Sequence, residues 1–373
     1  MLGSMIITSL MSFVVSSFLF YFFRPKAIQF GLVDKANHRK LHKGNIPVIG
    51  GPAIYIALVF ALFMEQHFTP EIFAFVFCSG FLMLLGVIDD KVNLKVSLRL
   101  TSMIAITTFL YHFADFQISS LGNLLAFGDI ELHGASLIFT IIVVIGVITA
   151  FNMVDGVDGL LGCLSIISFL AIALLFAVNG QFHLASTCVC FIAALIPFLM
   201  CNLSILPGLP GSRYKVFMGD SGSLFIGFTI ICLLVAGSQE SMHVDDSASQ
   251  PFSGAAFKPV TALWLMSVPL LDMIANIIRR LKSNKSPFQA DRGHIHHLLQ
   301  DMGLTDTQVL IFISLFSIVT VSIGVIAEIG DVPEVVMSIL LIILFAVYFY
   351  FYSHSYKISR LIHRLFGNKL PIS

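Results

Sequence analysis

Eleven apolar runs, most of them near twenty residues long, follow one another along the 373-residue chain and leave few folds open to it. They cover about 5–23, 49–67, 71–88, 98–114, 136–151, 160–178, 184–203, 221–237, 259–278, 308–327 and 333–352. Runs of this length satisfy their backbone polar groups in hydrocarbon only as helices. Composition agrees: 57% of residues are hydrophobic, 11% are charged and the mean hydropathy is +0.94, outside the balance of a soluble domain. The predicted fold is an all-α integral membrane protein of about eleven transmembrane helices, one polytopic domain over 1–373 embedded in a lipid bilayer. The first run has no basic n-region and no A-x-A-like site, and Arg24 and Lys26 follow it, so it reads as a span rather than a cleaved signal peptide. Cys78, Cys163, Cys188, Cys190, Cys201 and Cys232 fall in or beside apolar runs without a C-x-x-C, which predicts buried thiols, no disulfide framework and no zinc site.

A formal net charge of zero offers no general attraction to nucleic acid, so the placement of charge carries the information. With the N-terminus outside and each run crossing once, 20 of the 21 Lys and Arg residues fall on the cytoplasmic side, and only Lys258 falls outside. Cytoplasmic loops are the ones enriched in Lys and Arg, and a miscounted helix would scramble the pattern. The C-terminus is then cytoplasmic, 238–258 is an external loop, 279–306 is a cytoplasmic histidine and arginine loop, and 353–373 is a basic cytoplasmic tail.

This topology brings chemistry-bearing residues from five inner loops to one face. Asp34 and Lys43 lie in the first, Asp89 and Asp90 in the second, and Asn152, Asp155 and Asp158 in the third. Asp220 lies in the fourth, and Arg292, His294, His296 and His297 in the fifth. Asp220 opens the eighth run, where Asp serves as an N-cap; the same helix start also suits phosphate or a phosphate-bound metal. Asp89 and Asp90 end the third run, where the helix dipole repels anions, so capping does not account for them and they are expected to face a cation or take a proton. Asn152, Asp155 and Asp158 recur at i, i+3, i+6 and are expected to converge. Carboxylate and carboxamide oxygens are the donors Mg²⁺ prefers, with Mn²⁺ as a substitute, and Asn152 with Asp220 is the preferred pair. The histidines lack H-E-x-x-H spacing; beside Arg292, Arg279 and Arg280 they suit phosphate oxygens, or an anionic lipid surface as the blander reading. Asp272, inside the ninth run, is placed by helical phase to pair with Arg279.

Five ordered motifs, RKLHKGNIPVIGG (39–51), GVIDDKVNL (86–94), NMVDGVDGLLG (152–162), KVFMGDSGSLFIG (215–227) and DRGHIHHLL (291–299), together resemble the polyprenyl-phosphate N-acetylhexosamine-1-phosphate transferases. The resemblance runs through nearly the whole chain. It implies a phosphoglycosyl transferase of the bacterial inner membrane, acting on UDP-N-acetylglucosamine and undecaprenyl phosphate to begin a lipid-linked glycan such as O-antigen. It also implies Asn152 and Asp220 as Mg²⁺ ligands and Asp89 and Asp90 as the catalytic pair at the lipid phosphate. Lys43, Asp155, Asp158 and Asn202 match nucleotide-site positions, Arg292 and the histidines the loop over the phosphates, and Asp34 a functional acid. Two departures stand out: Asn93 occupies the last position of a D-D-x-x-D pattern, and 238–258 is longer and more acidic than in typical relatives. Another UDP-N-acetylhexosamine as donor, a carboxylate-bearing transporter and a lipid-binding scaffold are the alternatives. The transporter requires titratable groups mid-span, for which Asp272 is the one candidate. A homodimer is neither required nor opposed by any residue.

Overall fold

The computed structural model describes residues 2–37, 40–65, 69–205, 214–239, 254–286 and 293–354, with backbone alone for 35–37 and 40–45. Arg292, the Lys43 side chain, residues 240–253 of the expected external loop and residues 355–373 of the tail lie outside the described residues.

Each of the eleven apolar runs is helical over its described residues, with one break in the ninth. In chain order the elements are α1 (Leu2–Gln29), β1 (Val33–Asn37), β2 (Lys40–Pro47), α2 (Gly50–Glu65), α3 (Pro70–Val92), α4 (Val96–Phe113), α5 (Ser136–Met153), α6 (Leu160–Val178) and α7 (Phe182–Asn202). They continue as α8 (Gly219–Ser238), α9 (Pro259–Leu265), α10 (Ser267–Lys282), α11 (Ile295–Asp301), α12 (Asp306–Ile329) and α13 (Glu334–Ser353). Local chemistry sets the ends. Thr69 caps α3 by accepting the Ile72 N–H, Pro70 opens its first turn, and Asn93 stops it in a left-handed conformation at φ 52°. Thr305 and Gln308 form a reciprocal capping box at the start of α12.

Among the described residues eight helices are long and apolar enough to cross a membrane, nine if α9 and α10 form one span. Length and apolarity therefore support eight or nine of the eleven expected crossings. The helix α2 has only 16 residues, about 24 Å at 1.5 Å per residue, against a hydrocarbon core of about 30 Å. The helix α4 has the length but carries Arg99 and His112 among its 18 residues. The expectation of an all-α chain needs one small correction, the antiparallel hairpin β1–β2, in which Val33 pairs with Pro47 and Asp34 with Ile46.

The ninth run is not one straight helix. It breaks at Met266 and bends by 85° between α9 and α10. Pro269 has no N–H to give the Leu265 carbonyl, and the Ser168 hydroxyl donates to that oxygen instead at 2.8 Å. Ser267 and Thr320 bond across the same break at 2.7 Å. A neighbouring hydroxyl thus satisfies the freed Leu265 carbonyl, the condition for a broken helix away from water.

The centre of the bundle is α8, whose most apolar 18-residue window is 89% buried, against 17% for α13 at the edge. It packs against α2, α3, α5 and α6. Its first turn touches α3 backbone to backbone: a Cβ added at Gly86 would stand 2.3 Å from the Ser221 Cα. One apolar cluster extends from Leu19 to Val325, and all six cysteines are free thiols. These contacts hold the start of α8 rigidly among its neighbours.

Candidate active site

The start of α8 is also where the polar residues meet. The hairpin joins it through the Phe217 N–H, which donates to the Pro47 carbonyl at 2.9 Å, and α2 joins it through the Gly50 N–H, which donates to the Phe217 carbonyl at 3.0 Å. Asp34 lies on β1 of that hairpin. From α3, Asp90 reaches across: its Oδ1 accepts the Asp220 N–H at 2.8 Å and its Oδ2 the Ser221 N–H at 3.2 Å. From α5, the Asn152 carboxamide donates to Asp220 Oδ1 at 2.6 Å and to Ser223 Oγ at 2.7 Å. His296 connects the fifth loop to the third, packed so closely on Gly156 that a Cβ there would fall 2.1 Å from its Nε2. Segments from all five expected loops are therefore in one connected arrangement.

Several expectations change in detail. Asp220 is not the N-cap of α8, because the cap position is Met218, which makes no side-chain bond. Asp90 supplies the cap from another helix, which also corrects the expectation that capping cannot account for the pair. A carboxylate at a helix N-terminus is favoured by the free N–H groups and the dipole. Gly219 makes the fit feasible, with φ +71° and no Cβ where one would come 2.5 Å from Asp90 Oδ2. Asp89 is buried. Its Oδ1 accepts the Leu94 N–H at 2.6 Å, and Arg99 on α4 donates to its Oδ2 at 2.9 Å. Arg99 also stands 3.6 Å from Asp220 Oδ2, linking the second and fourth loops.

The third loop does not converge on a single point as expected from its i, i+3, i+6 spacing. Asn152 turns to Asp220, whereas Asp158 forms an ion pair with Lys215 and Asp155 is exposed. Asn202 is buried with both ends of its carboxamide on backbone: it accepts the Gly159 N–H at 2.6 Å and donates to the Val216 carbonyl at 2.8 Å. It thus ties the third loop to the segment leading into α8.

In the fifth loop, His294 is buried rather than open. Its Nδ1 lies 2.8 Å from Asp272 Oδ2, so Asp272 pairs with His294 and not with Arg279. Arg279 instead donates to the Tyr352 hydroxyl at 2.9 Å and to Asn276 Oδ1 at 3.2 Å. The His297 Nδ1 meets Gln300 Oε1 at 3.1 Å. Arg99, Lys215 and Ser223 were not among the expected site residues. Arg99 sits nine residues after Asp90 on a different helix, and Ser223 shares a motif with Asp220 but shows its role only through Asn152.

Electrostatically the arrangement is unbalanced. Asp89, Asp90 and Asp220 are close neighbours, and among the described residues Arg99 is the cation that forms ion pairs with Asp89 and Asp220. The corner therefore carries more acidic groups than cations to pair with them. The candidate ligands are oxygens, from Asp220 and Asn152, and among the described residues no group of three or more His, Cys, Asp or Glu side chains is arranged as a complete metal cage. That set fits a hard divalent ion that keeps several waters and substrate oxygens in its shell, as Mg²⁺ does. Such an ion suits a phosphorylated ligand.

The chain matches the glycosyl transferase family 4 over residues 72–238. It is 40% identical over 360 residues to the undecaprenyl-phosphate alpha-N-acetylglucosaminyl 1-phosphate transferase of Escherichia coli (strain K12), covering 96% of this chain and 94% of that protein. The protein of the same description from Yersinia pestis is 38% identical over 353 residues, 94% of this chain and 92% of that one. That from Haemophilus influenzae is 36% identical over 343 residues, 92% of each. Similarity of that extent, over a site assembled from every one of the five motifs, makes this chain a member of the glycosyl transferase family 4, an enzyme of the phosphoglycosyl transferase kind.

Proposed function

We propose that the chain transfers N-acetylglucosamine 1-phosphate from UDP-N-acetylglucosamine to undecaprenyl phosphate, giving undecaprenyl-diphosphate-N-acetylglucosamine and UMP. The observation that carries this reading is the meeting of Asp90, Asn152 and Asp220 at the start of α8, in a chain alike over its length to transferases of that description. The transporter reading loses its one candidate, because the Asp272 carboxylate is buried and engaged by His294, Ile295 and Tyr348. The protein crosses the bacterial inner membrane eleven times with the N-terminus outside and the site at the cytoplasmic face, a topology supported by the distribution of Lys and Arg.

Both reactants are anions, so their approach is opposed by repulsion. Mg²⁺ held by Asn152 and Asp220 would supply neutralisation of the donor diphosphate. The chain's own residues do the rest. Asp90 occupies the Asp220 and Ser221 N–H groups at the start of α8, so it fixes that turn, and the ion rather than the helix end would meet the donor phosphates. Arg99 holds Asp89 and stands beside Asp220, keeping the carboxylates in a fixed array. An oxygen of the lipid phosphate forms the new bond at the sugar-bearing phosphorus while the bond to the UMP oxygen breaks. Direct attack is favoured over a covalent aspartyl intermediate because both oxygens of Asp90, and both of Asp89, are already engaged by N–H donors. Asp89 and Asp90 then align the acceptor or take its proton. Asp155, Asp158 and Lys43 with the histidine loop contact the donor nucleotide and its phosphates, and Asp34, on the hairpin, is a further functional acid.

The test uses purified protein, undecaprenyl phosphate and a panel of UDP-sugars, with UMP release measured for each. UMP released with UDP-N-acetylglucosamine, abolished by EDTA and restored by Mg²⁺, is the expected result. Release from none of the panel would overturn the reading, and release only from a different UDP-N-acetylhexosamine would correct the donor.

A further inference from the structure

The reaction above assigns no contact with substrate to Asp272, yet this residue is the hub of a network that reaches the donor site. It is wholly buried on α10 and accepts from three segments: His294 Nδ1 at 2.8 Å, the Ile295 N–H at 2.9 Å and the Tyr348 hydroxyl at 3.0 Å. Ile295 is the first residue of α11, and the N-cap residue His294 provides no side-chain cap of its own. Asp272 therefore does for α11 what Asp90 does for α8, capping it from another helix.

The segment is gripped from the other side as well. The Tyr352 hydroxyl lies 2.6 Å from the Gly293 carbonyl and 2.9 Å from Asn276 Oδ1. The buried residues of α13 are Met337, Tyr348 and Tyr352, so two of the three serve this one segment. Holding α11 in this way fixes His296, its second residue, against Gly156, between Asp155 and Asp158. An unbroken path of contacts runs from Asp272 through the start of α11 and His296 to the third loop.

We propose that Asp272 is a positioning residue for donor binding: by capping α11 it presses His296 onto the Asp155–Asp158 turn and so shapes the nucleotide site. This rests on the reading of that turn as part of the UDP-sugar site. Asp272→Asn keeps the volume and removes the charge that anchors α11.

The experiment measures KM for UDP-N-acetylglucosamine and for undecaprenyl phosphate, and the Kd for UDP, on folded, purified wild type, Asp272→Asn, His296→Ala and the double variant. Loss of one charged hydrogen bond predicts that the donor KM and the UDP Kd of Asp272→Asn rise on the order of tenfold. The acceptor KM stays within about twofold, and the double variant is no weaker for UDP than His296→Ala alone, because both changes break the same path. A donor KM and UDP Kd unchanged in Asp272→Asn, with only its thermal stability lowered, would show a merely structural residue and overturn the proposal. So would losses that multiply in the double variant. Failure of the wild type to release UMP from any UDP-sugar would instead count against the proposed reaction, and the UDP Kd series would still test the path.

Discussion

Asp220 and Asp272 are both aspartates on helices of the bundle interior, and their surroundings could hardly differ more. Asp272 is fully buried, with donors from His294, Ile295 and Tyr348 on its two oxygens. Asp220 is 34% exposed at its side chain, shares its corner with Asp89 and Asp90, receives one bond from Asn152 and has Arg99 only at 3.6 Å. One carboxylate is closed by its neighbours and makes structure. The other is left more open, beside two further carboxylates, at the place proposed for the ion. The comparison teaches where the protein tolerates uncompensated charge, since groups held in such strain cluster where a ligand relieves it.

The largest effect expected from this contrast is on catalysis. Asp220→Asn and Asp90→Asn should each lower UMP release on the order of 10³-fold while the protein is still inserted and purified normally. Activity within tenfold of wild type in either would break the assignment of the open cluster. On stability the two aspartates should part company. Asp272→Asn, which leaves three buried donors facing a neutral amide, should lower unfolding stability by about 2–4 kcal/mol. Asp220→Asn, measured in EDTA, should leave it unchanged or raise it by up to about 1 kcal/mol, because like charges are relieved. Melting curves in detergent that fell equally for both would erase the distinction between closed and open.

Ser168→Ala gives the scale for an uncharged buried bond. It removes the donor to the Leu265 carbonyl at the α9–α10 break and should cost about 1–2 kcal/mol, less than Asp272→Asn. A larger loss than that of Asp272→Asn would mean the break, not the carboxylate network, anchors this end. The smallest effect lies away from the site, at Asp331. Its hydrogen bond from Lys258 Nζ, and the Lys258 charge, hold its carboxyl below the usual range. A carboxylate whose folded pKa is lowered stabilises above its ordinary value of about 4 and loses that contribution as pH falls through the folded one. The stability gap between wild type and Lys258→Gln should therefore be small at about pH 5 and close on further acidification. A gap that widened would contradict the pairing.

The sequence made the helices legible because apolar length is a local property, and every run proved helical. Their use as crossings was less legible. The 85° bend at Met266 has a local trace in Pro269, but its size depends on Ser168 and Thr320, which approach from other helices. The hairpin was not anticipated, since Val33–Pro47 has no clean apolar alternation and is set by its backbone ties to Phe217. Asp90 and Asp220 were recognisable as chemistry, but the cap joining them spans 130 residues and no spacing rule reports it. The same holds for Arg99 and for the Asp272–His294 pair: helical phase pointed Asp272 at Arg279, and a loop 22 residues on competed successfully for it.

The most direct test of the open cluster is the unfolding temperature of wild type and Asp220→Asn, each in EDTA and in excess Mg²⁺. A ligand at about 100 times its Kd adds about 2.7 kcal/mol to the state that binds it. Mg²⁺ should raise the wild-type transition and leave Asp220→Asn where it stood in EDTA. Equal shifts in both proteins, or none in the wild type, would contradict the placing of a divalent ion at Asp220.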